Sequence, residues 1–268
     1  MEGRLNTTSY VDKKYEIGID GTKYYFILRS PENLSKRPVL LITIAADCYH
    51  TLNHPDYNLI SDVFLAAGHL VASFDLPNHG EHIDNYGEGL TGWVNAMSDG
   101  VDIFEKIRKI GSSIIDFAAR EKLAWKNTIV MSGVSRGGLS AMHIMAYDER
   151  VYAAVVHAPC TDLSKIKEFE QLKDNPILIS SNAINLARRL ANRFLLITIG
   201  EKDPRVDEKA CFEFYARLFA ISDTIKPAIF ILEGQTHGKT AFNEAAYIAG
   251  ASFLFEKIAM RINGKVND

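Results

Sequence analysis

Apolar residues fall along this chain in two patterns. Segments 39–46 (VLLITIAA), 69–74, 128–132 (TIVMS), 151–157 (VYAAVVH), 194–199 (FLLITI) and 228–232 (AIFIL) are short and continuously apolar. A strand that reads this way is covered on both faces, as in a parallel sheet. Two earlier runs, 14–19 and 23–29, flank Asp20-Gly21, a dipeptide that predicts a tight hairpin. The second pattern has helical spacing. Phe104, Ile107, Ile110, Ile114, Phe117 and Ala118 recur every three or four positions, so the spacing predicts one amphipathic helix over 98–122. Further helices are expected over 56–67, 138–147, 207–219 and 240–262. Alternating strands and helices imply an α/β fold, a doubly wound sheet with helices on both faces. The count is eight strands. The stretch 161–192 is too long for a simple loop and carries helical pieces, which suggests a small cap over the carboxyl edge of the sheet. With no repeat, low-complexity tract or Pro/Ser-rich linker, residues 1–268 read as one domain.

Composition narrows the class. Thirty Lys+Arg against 33 Asp+Glu give a net charge of −3 over 268 residues. A nucleic-acid binder would need a basic face, so nucleic acid is not an expected partner. The polar start, Met1-Glu2-Gly3-Arg4-Leu5-Asn6, lacks the apolar core of a signal peptide. No apolar run approaches the roughly 18 residues of a membrane helix, so no membrane partner is expected. Cys48, Cys160 and Cys211 lie far apart and form no CxxC. That pattern suits a reducing compartment, and a cytoplasmic location is expected.

In doubly wound sheets, ligands sit outside the carboxyl ends of the strands. Three strand ends carry chemistry. After the fifth comes Gly133-Val134-Ser135-Arg136-Gly137-Gly138, a G-x-S-x-G in a strand–turn–helix setting, where the turn strains Ser135 and a side chain at 133 or 137 would collide with neighbouring backbone. A serine hydroxyl is a weak nucleophile and needs a base, itself held by a third group. The seventh strand ends in Gly200-Glu201-Lys202-Asp203-Pro204-Arg205-Val206, and the eighth is followed by Thr236-His237-Gly238. The chain order Ser, Asp, His is that of the nucleophile-elbow hydrolases.

On these residues, together with Asp75-Leu76-Pro77-Asn78-His79-Gly80 after the fourth strand, the sequence resembles the α/β-hydrolases. Within them it is similar to the esterase and prolyl-oligopeptidase-like branch and its dienelactone-hydrolase-like relatives. The resemblance covers the chain from about residue 14. It implies an eight-stranded, mostly parallel sheet whose second strand is antiparallel. It also implies Ser135 as nucleophile, His237 as general base and acid, and Asp203 as the carboxylate that orients it. The oxyanion of acyl transfer needs two donors. One is the Arg136 N–H. The other is expected from the loop after the third strand, at Ala46 or Asp47, where this chain has Ile-Ala-Ala-Asp-Cys-Tyr in place of the frequent His-Gly.

Rival readings accompany these assignments. Asp162, after the sixth strand, is an alternative acid. His50 with His54, and His79 with His82, have spacings that a metal could use, yet no third ligand is evident, so no metal and no cofactor are expected. His79 fits a structural place in the D-x-x-x-H-G turn, and His143 and His157 read as core residues. Glu201 and Asp207 fit a loop surface and a helix start. Cys48 reads as a small buried thiol, and Asp47 and Tyr49 as loop surface or substrate contacts. The Arg136 side chain is read either as pairing with a surface acid or as binding a substrate carboxylate. The loop 83–93 either lines the pocket or packs Trp93 under the next helix. The expected function is a serine hydrolase acting on a small-molecule carboxylic ester. Acyl transfer or peptide hydrolysis would use the same residues. Peptidase relatives usually carry a large propeller before the first strand, for which about 13 residues leave no room. A non-catalytic binding protein on the same fold is the alternative of another class. A dinucleotide-binding fold is excluded by the missing G-x-G-x-x-G.

Overall fold

The computed structural model describes residues 9–237 and 243–263. The chain opens with a hairpin of β1 (Tyr10–Ile19) and β2 (Thr22–Pro31). At its turn Asp20 and Gly21 take φ values of 51° and 79°, the handedness a two-residue turn needs to match the twist of its strands. Six more strands follow: β3 (Leu40–Ile44), β4 (Leu70–Phe74), β5 (Ile129–Val134), β6 (Val151–His157), β7 (Phe194–Gly200) and β8 (Ala228–Leu232). They form one eight-stranded sheet in the order β1-β2-β4-β3-β5-β6-β7-β8. β2 runs antiparallel to both β1 and β4, whereas β3 to β8 pair in parallel. The fold is that of the α/β-hydrolases, antiparallel second strand included.

The continuous apolar runs follow from the two covered faces. Every residue of β3, β4 and β5 is buried. Leu40, Ile42 and Ile44 face one core layer with α4 (Ile103–Arg120), α5 (Arg136–Tyr147), α7 (Ala183–Leu190) and α8 (Glu208–Ile221). Leu41, Val71 and Val130 face the other, with α2 (Pro55–Ala66) and α9 (Glu244–Ile262). Each fully buried Leu or Ile adds roughly 1.5–3 kcal/mol relative to an exposed one.

Three helical expectations change. The helix expected over 98–122 is α4, starting at Ile103, and a separate α3 (Gly89–Ser98) precedes it, partly within the 83–93 stretch expected as a loop. The break comes at Asp102, whose carboxylate accepts the Glu105 N–H at 2.9 Å and caps α4. The apolar stripe of α4 lies where the spacing put it, with Phe104, Ile107, Ile110, Ile114 and Ala118 buried. The loop after β3, expected to run through Tyr49, gives way at Cys48 to the short α1 (Cys48–Asn53) under an Asp47 cap. α9 begins at Glu244; positions 240–242 of the expected helix lie outside the described residues. In the 161–192 stretch, α7 packs on α5 and α8 as the crossover from β6 to β7. The preceding 3-10 turns and α6 (Pro176–Ser181) bury Leu163, Ile166, Phe169 and Leu178, with the longer turn lying against α3. Among the described residues no helix is long and apolar enough to cross a membrane.

Candidate active site at the carboxyl edge of the sheet

Ser135 stands between β5 and α5 with φ 54° and ψ −117°, a conformation that costs a residue bearing a Cβ of the order of 1–3 kcal/mol. Its surroundings hold it there. Its N–H donates to the His157 carbonyl at 2.9 Å, and its own carbonyl accepts from Gly138, Leu139 and Cys160 at 3.0, 3.2 and 3.1 Å. The flanking glycines make the turn possible. A Cβ on Gly137 would fall on the Ile44 carbonyl at the end of β3, and one on Gly133 would fall on the Gly137 carbonyl. This close approach seats the start of α5 against the β3 end, with Ala45 against Gly137.

Two other strand ends meet at the same edge of the sheet. After β7, Asp203 is fully buried. Its Oδ1 accepts the N–H groups of Arg205 and Val206 at 3.0 and 3.3 Å, and its Oδ2 accepts from His237 Nδ1 at 2.9 Å. A carboxylate only accepts when ionised, so Nδ1 carries the proton and Nε2 is left as the basic nitrogen. The loops bearing the pair are tied together: Lys202 N–H donates to Gln235 O at 3.0 Å, and Gly234 N–H to Glu201 Oε2 at 2.8 Å. Asp162, the alternative acid, is used elsewhere. Its Oδ1 caps the following turn through the Ser164 N–H and hydroxyl, at 2.9 and 2.6 Å, and accepts from Asn182 at 2.8 Å.

The Ser135 hydroxyl is 3.4 Å from Cys160 Sγ, and among the described residues no hydrogen bond joins it to His237. Cys160, buried after β6, was missed in the sequence reading. Its place directly after a strand end was the signal available. Burial pushes its thiol up from the ordinary value, so the group is a neutral neighbour of the serine.

Arg136, the next residue, opens α5, and its N–H has no acceptor within the helix. The Ala46 carbonyl accepts the Leu76 N–H at 2.9 Å, which pins the loop after β3. The Arg136 side chain does not pair with a surface acid. Its Nη1 donates to His79 Nε2 at 2.7 Å, and among the described residues no carboxylate lies within ion-pair distance. His79 donates from Nδ1 to the Pro77 carbonyl at 2.9 Å. Burial and the neighbouring guanidinium hold it below the usual histidine range. The same carbonyl accepts Trp93 Nε1 at 2.7 Å, so Trp93 packs under the loop. Nearby, Arg205 forms a two-pronged pair with Glu168, both contacts 2.7 Å.

The remaining histidines lie apart. His143 and His157 are buried in the core. His50 contacts Asp47 at 2.9 Å and His54 contacts Asp56 at 3.6 Å. Among the described residues no three His, Cys, Asp or Glu side chains gather as a metal site. Asp207 caps α8 through the Ala210 N–H at 2.9 Å. Cys48 is only partly buried, and Tyr49 is exposed.

Solved structures share this architecture. A cold-adapted esterase from an Arctic intertidal metagenomic library aligns at TM-score 0.69 and 14% identity, over 96% of each chain. The 2,6-dihydroxy-pseudo-oxynicotine hydrolase aligns at TM-score 0.66 and 17% identity, over 91% of this chain and 67% of its own. Pyrococcus horikoshii acylaminoacyl peptidase aligns at TM-score 0.66 and 14% identity, over 96% of this chain but 41% of its own, so this chain spans less than half of that peptidase. At such identities the likeness is one of fold. No curated protein matches the sequence. The family signal comes from the sequence itself, because residues 112–260, more than half of the chain and the part that holds all three strand-end motifs, match the prolyl oligopeptidase family; the protein belongs to that family, a serine hydrolase on the α/β-hydrolase fold.

Proposed function

We propose that the protein hydrolyses a small carboxylic ester through an acyl-enzyme on Ser135. The observation that carries the reading is the 2.9 Å contact from His237 Nδ1 to the buried Asp203, made at the strand edge where Ser135 is held in its strained turn. In the reaction the Ser135 hydroxyl turns from Cys160 to His237 Nε2, which takes its proton as the oxygen attacks the ester carbonyl. The N–H groups of Arg136 and Ala46 stabilise the oxyanion. The imidazolium returns the proton to the departing alcohol. Water, activated by the same nitrogen, then releases the acid and restores the serine. Catalytic hydrogen bonds are often long or unformed before substrate binds, so the resting serine–cysteine contact fits this sequence of events.

The near-complete alignment with the metagenomic esterase favours ester over peptide hydrolysis. Acyl transfer to an alcohol would use the same groups. Three unpaired cysteines support a reducing, cytoplasmic setting. A fluorophosphonate probe is expected to label Ser135. Ser135→Ala should remove both labelling and hydrolysis of p-nitrophenyl butyrate, and Asp203→Asn should lower turnover by about 10²–10⁴-fold. Labelling elsewhere, full turnover in Ser135→Ala, or a loss on Asp162→Asn in place of Asp203→Asn would overturn the assignment.

A further inference from the structure

Arg136 differs in its partners from the other arginines held within the protein. Arg29 pairs with Asp12, Arg108 with Asp102, Arg150 with Asp148 and Asp116, and Arg205 with Glu168. Arg193 donates to the backbone carbonyls of Met145 and Val151. Arg136 has one hydrogen-bonded acceptor among the described residues, the neutral imidazole of His79. A cation taken partly out of water is costly unless an anion meets it, and a guanidinium presents a fork of five donors suited to a carboxylate. Burial here is enough to pull the Arg136 pKa down from its ordinary value. Glu168, whose field reaches Arg136, is matched prong for prong by Arg205, whose charge opposes it.

The side chain is also held in place. Hydrogen bonding of His79 to the Pro77 carbonyl fixes the imidazole, and the edge of Trp93 packs on it with ring centroids 5.9 Å apart. Gly89 lies beside the fork with no side chain of its own, where even an added Cβ would stand 3.8 Å from Nη1, and Arg136 is only partly buried. The charge therefore sits ready, one residue from the serine that takes the acyl group.

We propose that Arg136 binds a carboxylate on the acyl part of the substrate, so that the preferred ester is a monoester of a short dicarboxylic acid. The inference rests on the esterase reading above. Hydrolysis then adds water across the ester bond and yields the dicarboxylic acid and the alcohol; the second carboxylate is only held. His79 is a positioning residue, because it acts through Arg136.

The test compares p-nitrophenyl hemiglutarate with p-nitrophenyl butyrate, a neutral acyl chain of similar reach. The wild type should favour the acidic ester by about 10- to 100-fold in kcat/KM, mostly through KM. Arg136→Gln should collapse that ratio, and Arg136→Lys should restore part of it. Isothermal calorimetry should show glutarate binding to the wild type and not to Arg136→Gln, with circular dichroism confirming that both are folded. Turnover of both esters without preference would overturn the inference while leaving the esterase reading intact, as would a preference that survives Arg136→Gln. If neither ester is cleaved and no probe labels Ser135, the esterase reading falls. Glutarate binding lost on Arg136→Gln would still support the anion site, and its absence in the wild type would overturn that too.

Discussion

At Ser135 a single residue carries a conformational cost for the sake of its position. With φ at 54° and ψ at −117°, its Cβ crowds the backbone, and four hydrogen bonds to its own amide and carbonyl hold the arrangement. Removing the hydroxyl leaves this strain in place; removing the Cβ relieves it. Ser135→Gly is therefore expected to be more stable than Ser135→Ala by about 1 kcal/mol, read from urea unfolding midpoints, with both variants inactive. Equal midpoints would show that the turn is unstrained. A more stable Ser135→Gly would show function and stability traded at one side chain.

At the scale of elements, the two edges of the sheet differ. β1 is polar on its outer side and is secured by the full length of its pairing with β2. β8 pairs with β7, none of its five residues is fully buried, and Phe230 and Ile231 are 40% and 49% exposed. His237 lies five residues beyond the end of this strand. Segments with few buried contacts open at lower free energy than the core. Both tryptophans, Trp93 and Trp125, lie on other elements. Esterase activity should thus fall at lower urea than tryptophan fluorescence, by about 0.5 M or more; coincident midpoints would show that β8 leaves only with the rest of the sheet. Most elements were legible in the sequence because a covered strand and an amphipathic helix each leave a strong periodic mark. The break between α3 and α4 was written in the sequence as Asp99-Gly100 and Asp102 but was overridden by the apolar spacing: Gly100, at φ 82°, ends α3, and Asp102 caps the start of α4. The strand-end positions of Ser135, Asp203 and His237 were readable from spacing. The contact of Cys160 with Ser135 and that of Arg136 with His79 were not, because each depends on how separate loops fold back, which no local pattern encodes.

For the molecule as a whole, buried imidazoles set the response to acid. His143 stacks on Phe104 and hydrogen-bonds the Ser181 carbonyl, and burial pulls it down to about 4. His157, enclosed between Thr198 and Tyr247, is pulled down to about 3 for the same reason. Burial also lowers His69, His79 and His82. A histidine kept neutral in the fold takes up a proton on unfolding once pH drops below about 6.5. Its contribution is complete above that value and is lost as pH falls toward the folded pKa. His143 and His157 together should cost roughly 2–3 kcal/mol per pH unit between about pH 6 and 4. Urea unfolding at pH 7, 6 and 5 should show a steadily falling midpoint; a flat profile would mean these imidazoles are not neutral and enclosed.

The order of strands in the sheet also sets a timetable for synthesis. β3 lies between β4 and β5, yet β5 starts about 85 residues after β3 ends. At a translation rate of about 5–20 residues per second, one flank of β3, every residue of which is buried in the finished fold, waits several seconds on the ribosome for its neighbour. An unpaired strand edge of that kind invites association with other chains. The nascent protein is therefore most in need of chaperone shelter in the interval between the emergence of β4 and that of β5, well before the segment bearing Asp203 and His237 has been made.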